Sequence, residues 1–98
     1  MTGMTLSAQR AAEIGMINRV IPVAELLNEA GKLAATLASG PTGAIGRIKR
    51  MLNASFSNDL TTQLSLEADC QIESGRSSDF LEGVAAFFEK RPPNFSGE

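Results

Sequence analysis

The chain has 98 residues, 43% hydrophobic and 20% charged, which suits one domain with a modest core. Nine basic residues against eleven acidic ones leave a net charge of −2, which argues against a dedicated nucleic-acid binder. With Cys70 as its one cysteine and no histidine, the composition excludes an internal disulfide and a Ser-His or Cys-His nucleophile pair, and it offers no metal-ligand cluster.

In chain order, Met1 to Thr5 carries neither a basic stretch nor an apolar core, so no signal peptide is expected. Ser7 is placed to cap a short helix, AQRAAEI, closed by Gly15. MINRVI, Met16 to Ile21, reads as an extended segment, and Pro22 biases Ile21 away from helical geometry. The second helix has the clearest pattern. Val23, Leu26, Leu27, Ala30, Leu33, Ala34, Leu37 and Ala38 recur at helical spacing and form one continuous apolar stripe.

Gly40-Pro41 ends that helix and opens the next, about Thr42 to Phe56, with Ile45, Ile48, Leu52 and Phe56 on one face and Met51 beside them. Its RIKR run, holding Arg47, Lys49 and Arg50, reads as a solvated face. The residues Ser57 to Asp59 can cap a fourth helix. That helix carries Leu60, Leu64, Ala68 and Ile72 on one side and Leu66 and Cys70 on another, and Ser74-Gly75 stops it. The last helix begins at Ser78 or Asp79, where Asp79 and Glu82 have the spacing of a capping box. Phe80, Leu81, Val84, Phe87 and Phe88 make its stripe, and Pro92-Pro93 forces an extended tail containing Phe95.

The expected architecture is therefore all-α, a small bundle of about five helices. No apolar run approaches the ~20 residues of a membrane span, so the expectation is a cytoplasmic protein with no membrane and no nucleic-acid partner. Gly31, Gly46 and Gly83 fall inside helices, as tolerated surface positions or as points of close approach. Glu67, Asp69 and Glu73 lie near one another in sequence. Glu67 and Glu73 stand about 600° apart around a helix, so the reading there is a solvated face with no acid–base pair. The serines of Ser74 to Ser78 read as a capped turn, since no phosphate-loop pattern accompanies them.

Two end motifs and a stretch between them give the chain a familiar outline. TG-x-x-x-SA-x-x-A at Thr2 to Ala11, followed by GMINRVIP at Gly15 to Pro22, resembles a segment of the enoyl-CoA hydratase/isomerase (crotonase) superfamily, with Met16 and Ile17 replacing a Leu-Val pair. PTGAIGRIK, ending at Lys49, follows in the same order. DFLEGVAAFFEKRPPNFSG at Asp79 to Gly97 is similar to that family's C-terminal signature.

The resemblance implies that residues 1–98 form the C-terminal helical, oligomerisation domain of a crotonase-like enzyme. The N-terminal spiral, with its oxyanion hole and acid–base carboxylates, then lies outside this chain. It also implies an enzyme acting on acyl-CoA thioesters without a metal or redox cofactor, with no catalytic residue in this part and no turnover by this part alone. The implied partners are the catalytic domain and a homo-oligomer, trimer or hexamer. By position in the motif, Phe87 and Lys90 are the CoA-binding candidates, an aromatic face for adenine and an ammonium for phosphate. Phe87 reads equally as a core residue and Lys90 as a solvated one. A helical interaction module without enzymatic activity is the alternative.

Overall fold

The computed structural model describes residues 3–98; Met1 and Thr2, with the opening of the first motif and the start of the stretch read for a signal peptide, lie outside them. Five helices follow in order: α1 (Ala8–Glu13), α2 (Val23–Ala38), α3 (Thr42–Ser55), α4 (Leu60–Gly75) and α5 (Ser78–Glu89). No strand occurs among the described residues. The all-α expectation holds. Two compact units divide the chain, Met1–Leu33 and Ala34–Glu98, with the division falling inside α2.

In the first unit, the Ser7 hydroxyl accepts from Arg10 N at 3.2 Å and caps α1. At the other end Gly15 takes φ +74°, Gly15 N donates to Ala12 O at 3.1 Å, and Met16 N donates to Ala11 O at 2.8 Å. That pair of bonds satisfies carbonyls the helix would otherwise leave orphaned. It also corrects the expectation of an extended run from Met16, because residues 16–18 bend to close the helix and only 19–22 run on without regular structure. The start of α2 is set by Pro22, whose carbonyl accepts from Glu25 N at 2.9 Å. Glu25 then places negative charge in the first turn, where the helix dipole favours it. The leucine stripe of α2 lies open, with no buried residue in the helix and Leu27 86% exposed.

In the second unit, α3 packs on α4 and α4 on α5. The faces in contact coincide only in part with the apolar stripes in the sequence: Ile45 and Met51 on α3 and Leu66 and Cys70 on α4 turn inward as their spacing allows. On α3 the half-buried residues include Ala44, Arg47, Met51 and Ala54, whereas Ile48, Leu52 and Phe56 face outward. On α4 the inner face holds Gln63, Leu66 and Cys70, with Cys70 only 1% exposed, while Leu60, Leu64 and Ile72 are exposed. Cys70 is the buried position of α4 at this seam, and polar side chains finish it.

Arg50 Nη2 donates to Cys70 Sγ at 3.0 Å, and Gln63 Nε2 donates to Met51 O at 3.4 Å. Arg47 and Arg50 both reach Glu73, at 3.2 and 3.3 Å, and Arg47 first, then Arg50, holds its carboxyl below the usual range. Two cations of the RIKR run are thus ion-paired across helices and not simply solvated. Asp59 caps α4 as expected, accepting from Thr62 N at 2.7 Å.

The start of α5 corrects the capping-box reading. Ser77 is the cap, accepting from Phe80 N at 3.1 Å, so Asp79 already sits inside the helix. Asp79 is buried at 6% exposure and turns to the tail instead. Its carboxylate accepts from Ser96 N at 2.7 Å, Ser96 Oγ at 3.2 Å and Gly97 N at 3.0 Å. Glu98 O in turn accepts from Asp79 N at 2.9 Å and Ser78 Oγ at 2.7 Å.

The tail therefore runs back along α5 from its end to its beginning. Phe95 meets Gly83 on the way, where an added Cβ would lie 3.7 Å from the ring. Gly97, at φ +88°, brings the tail so close to Thr42 that a Cβ would stand 2.5 Å from its hydroxyl. An added Cβ at Gly83 would make only ordinary contact with Phe95, and Gly31 and Gly46 have nothing within 4 Å of one, so none of the three glycines is required by a close approach.

Candidate functional site

The two residues singled out by the C-terminal motif lie within one turn of each other at the end of α5. Phe87 is 77% exposed, and its ring meets Phe88 edge-on with centroids 5.8 Å apart and planes at 77°. It is not a core residue of this chain; the buried position of the last turns is Ala86. Phe87 and Phe88 instead border an apolar groove of about 420 Å³, with Phe80, Val84, Phe95 and Pro41 among its walls.

Lys90 closes α5 in the left-handed conformation, φ 57° and ψ 37°, and among the described residues no other non-glycine has positive φ. The helix end has the same two-bond form as α1, with Lys90 N donating to Phe87 O at 3.4 Å and Arg91 N to Ala86 O at 3.1 Å. Glycine usually fills this place, because a side chain there costs about 1–2 kcal/mol. A lysine held there carries a local conformational cost.

The neighbouring charges divide sharply. Arg91 grips Glu82 with two nitrogens, at 2.6 and 2.9 Å, and Glu89 with Nε at 2.6 Å. Glu82 also accepts from Asn94 N at 2.7 Å. Arg91's hydrogen bonds, and then Asn94's, pull the Glu82 carboxyl down to about 2, while both glutamates hold Arg91 above its ordinary value. Lys90 has no ion pair among the described residues.

No acid–base centre assembles from the acidic residues of α4. Glu73 is occupied by Arg47 and Arg50, and Glu67 accepts from Gln63 Nε2 at 2.9 Å. Among the described residues no group of three or more Cys, Asp or Glu side chains gathers as metal ligands, and no helix is long and apolar enough to cross a membrane. Arg91, Glu82 and Asp79 were missed by sequence reasoning as parts of this site. The Glu82–Arg91 pair spans nine residues across the left-handed turn, so no helical spacing signals it.

The profile of the enoyl-CoA hydratase/isomerase family matches residues 1–98, the whole chain. The chain belongs to that family. Among its hydratase/isomerase relatives, the 1,2-epoxyphenylacetyl-CoA isomerase of Escherichia coli K12 is 47% identical over 96 residues, covering 98% of this chain and 37% of the relative. A protein named as a probable enoyl-CoA hydratase of Rhodobacter capsulatus is 45% identical over 92 residues, 94% of this chain and 36% of that one. In structure, an enoyl-CoA hydratase of Geobacillus kaustophilus HTA426 matches with a TM-score of 0.93 at 38% identity, over 99% of this chain and 37% of that one. This hydratase/isomerase-family chain thus spans little more than a third of the length of these relatives.

Proposed function

We propose that this chain is the C-terminal helical part of an enzyme that hydrates or isomerises acyl-CoA thioesters, and that it supplies an oligomer surface and one edge of the CoA site. In this reading the oxyanion hole and the proton-transferring carboxylates come from an N-terminal catalytic region, and residues 1–98 turn nothing over alone. The observation that carries the CoA role is the pairing of exposed Phe87 with Lys90. Among the described residues Lys90 is a cation held in a costly backbone conformation without a carboxylate partner. An aromatic face suits the adenine of CoA, and a flexible ammonium suits its phosphates. The exposed leucines of α2, Leu27 above all, support the oligomer role, since burying a fully exposed leucine contributes about 1.5–3 kcal/mol and a half-exposed one proportionately less.

The test is Lys90→Ala in the enzyme that carries this segment. A phosphate contact far from the reacting atoms contributes equally to ground and transition states, so its loss raises KM severalfold with kcat little changed. A pantetheine thioester, which lacks the nucleotide, should not register the substitution. Equal losses on both substrates, with a lowered Tm, would assign Lys90 to helix stability alone.

A further inference from the structure

Lys90 lies between Glu89 and Arg91 in the chain, and Glu82 reaches the same turn from two turns back along α5. An ammonium in that company should pair with one of the two glutamates. It does not, because Arg91 holds both: Glu82 through two nitrogens and Glu89 through the third. A planar guanidinium outcompetes an ammonium for two carboxylates, since its fixed fork matches carboxylate geometry and its donors need little further ordering.

The same residue braces the turn. Arg91 N closes the helix onto Ala86 O, and Glu82, gripped by Arg91, also accepts from Asn94 N at 2.7 Å. The tail beyond is moored at Asp79 and Ser78. Lys90 therefore sits between a helix end and a strap that are both tied down, and its left-handed backbone is over-determined by its surroundings.

We propose that Arg91 is a positioning residue for Lys90. By occupying Glu82 and Glu89 it keeps the Lys90 ammonium free, and by bracing the tail it keeps the Lys90 backbone left-handed, so that the charge is available to the phosphate end of a CoA thioester lying against Phe87. This rests on the CoA-edge reading above.

Arg91→Ala, Arg91→Lys, Lys90→Ala and the triple variant Arg91→Ala/Glu82→Gln/Glu89→Gln, made in the enzyme that carries this segment, test it. The readout is KM for a CoA thioester relative to KM for the matching pantetheine thioester. Arg91→Ala should raise that ratio severalfold, nearly as much as Lys90→Ala, because the released glutamates capture Lys90. Arg91→Lys, which keeps the charge but cannot grip both carboxylates, should give a smaller rise, and it serves if the alanine variant folds poorly. The triple variant, which removes the competing carboxylates but does not restore the brace, should recover part of the loss, a rescue that a purely structural arginine would not allow. If Lys90→Ala raises the ratio and neither Arg91 variant does, the positioning role is wrong while the CoA edge stands. If Lys90→Ala leaves the ratio unmoved, the CoA edge itself fails and the positioning role goes with it.

Discussion

Helices α2 and α5 are both strongly amphipathic, yet they finish differently. The leucines of α2 are exposed, Leu27 most of all, and the helix buries no residue. Helix α5 also exposes its large apolar side chains, but its opposite face is sealed by Ala86 and Asp79, and the tail is laced back along it. Local stability therefore resides where polar groups are saturated and small residues allow close approach. The large apolar side chains of both helices stay exposed.

The sharpest way to break this comparison is Asp79→Ala. It strips three acceptor contacts from a buried carboxylate and leaves the Ser96 and Gly97 amides without partners. The expected loss is on the order of 3 kcal/mol in urea unfolding, with faster amide exchange along the tail. A loss no larger than that of a surface substitution would show that the strap is incidental.

Two changes of about 1 kcal/mol and opposite sign come next. Ser77→Ala removes the cap of α5 and should destabilise by about that much. Lys90→Gly relieves the left-handed side chain and should stabilise by about 1 kcal/mol, roughly 4–8 °C in Tm. A Tm rise in this chain, with a raised KM for CoA thioesters in the enzyme that carries this segment, would show that stability was given up for the cation.

A pH titration sharpens the comparison further. The Glu82 carboxyl is held at about 2 against an ordinary 4.5, so the charged form is favoured by folding. Its contribution is complete above about pH 4.5 and is lost as pH falls through about 2. The wild-type Tm should fall more steeply across that window than the Tm of Glu82→Gln, and Asn94 should lose amide protection in step. Parallel profiles would refute the Arg91–Glu82 lock as a stabilising element.

The smallest expected effect lies on α2. Leu27→Gln should change unfolding stability by less than about 0.5 kcal/mol, because Leu27 is already in water. It should nonetheless weaken self-association and hydrophobic-dye binding of the chain, as followed by sedimentation. A large destabilisation would mean that the α2 stripe packs within the chain after all.

Helix limits were legible in the sequence because their signals are local. Ser7, Gly15, Gly40-Pro41 and Asp59 each punctuate the chain through their own backbone preferences. Which face turns inward was not legible, because α3 and α4 each present more residues than one neighbour can cover. Spacing alone cannot prefer Cys70 and Leu66 over Leu64 and Ile72. Asp79 and Glu82 have the spacing of a capping box, but spacing does not reveal that Ser77 is a better cap or that a tail returns to claim both carboxylates. The motif singled out Phe87 and Lys90, while their exposure and the conformation of Lys90 depend on contacts 5 to 18 residues apart.

The burial of Cys70 has a use at the bench. With its sulfur sealed between α3 and α4 beneath Arg50, a thiol reagent can reach it only when those helices part. The labelling rate in native buffer thus times the opening of one helix pair. Trapping this single thiol would also report whether the seam tightens if a partner covers the apolar faces, with no engineered cysteine needed.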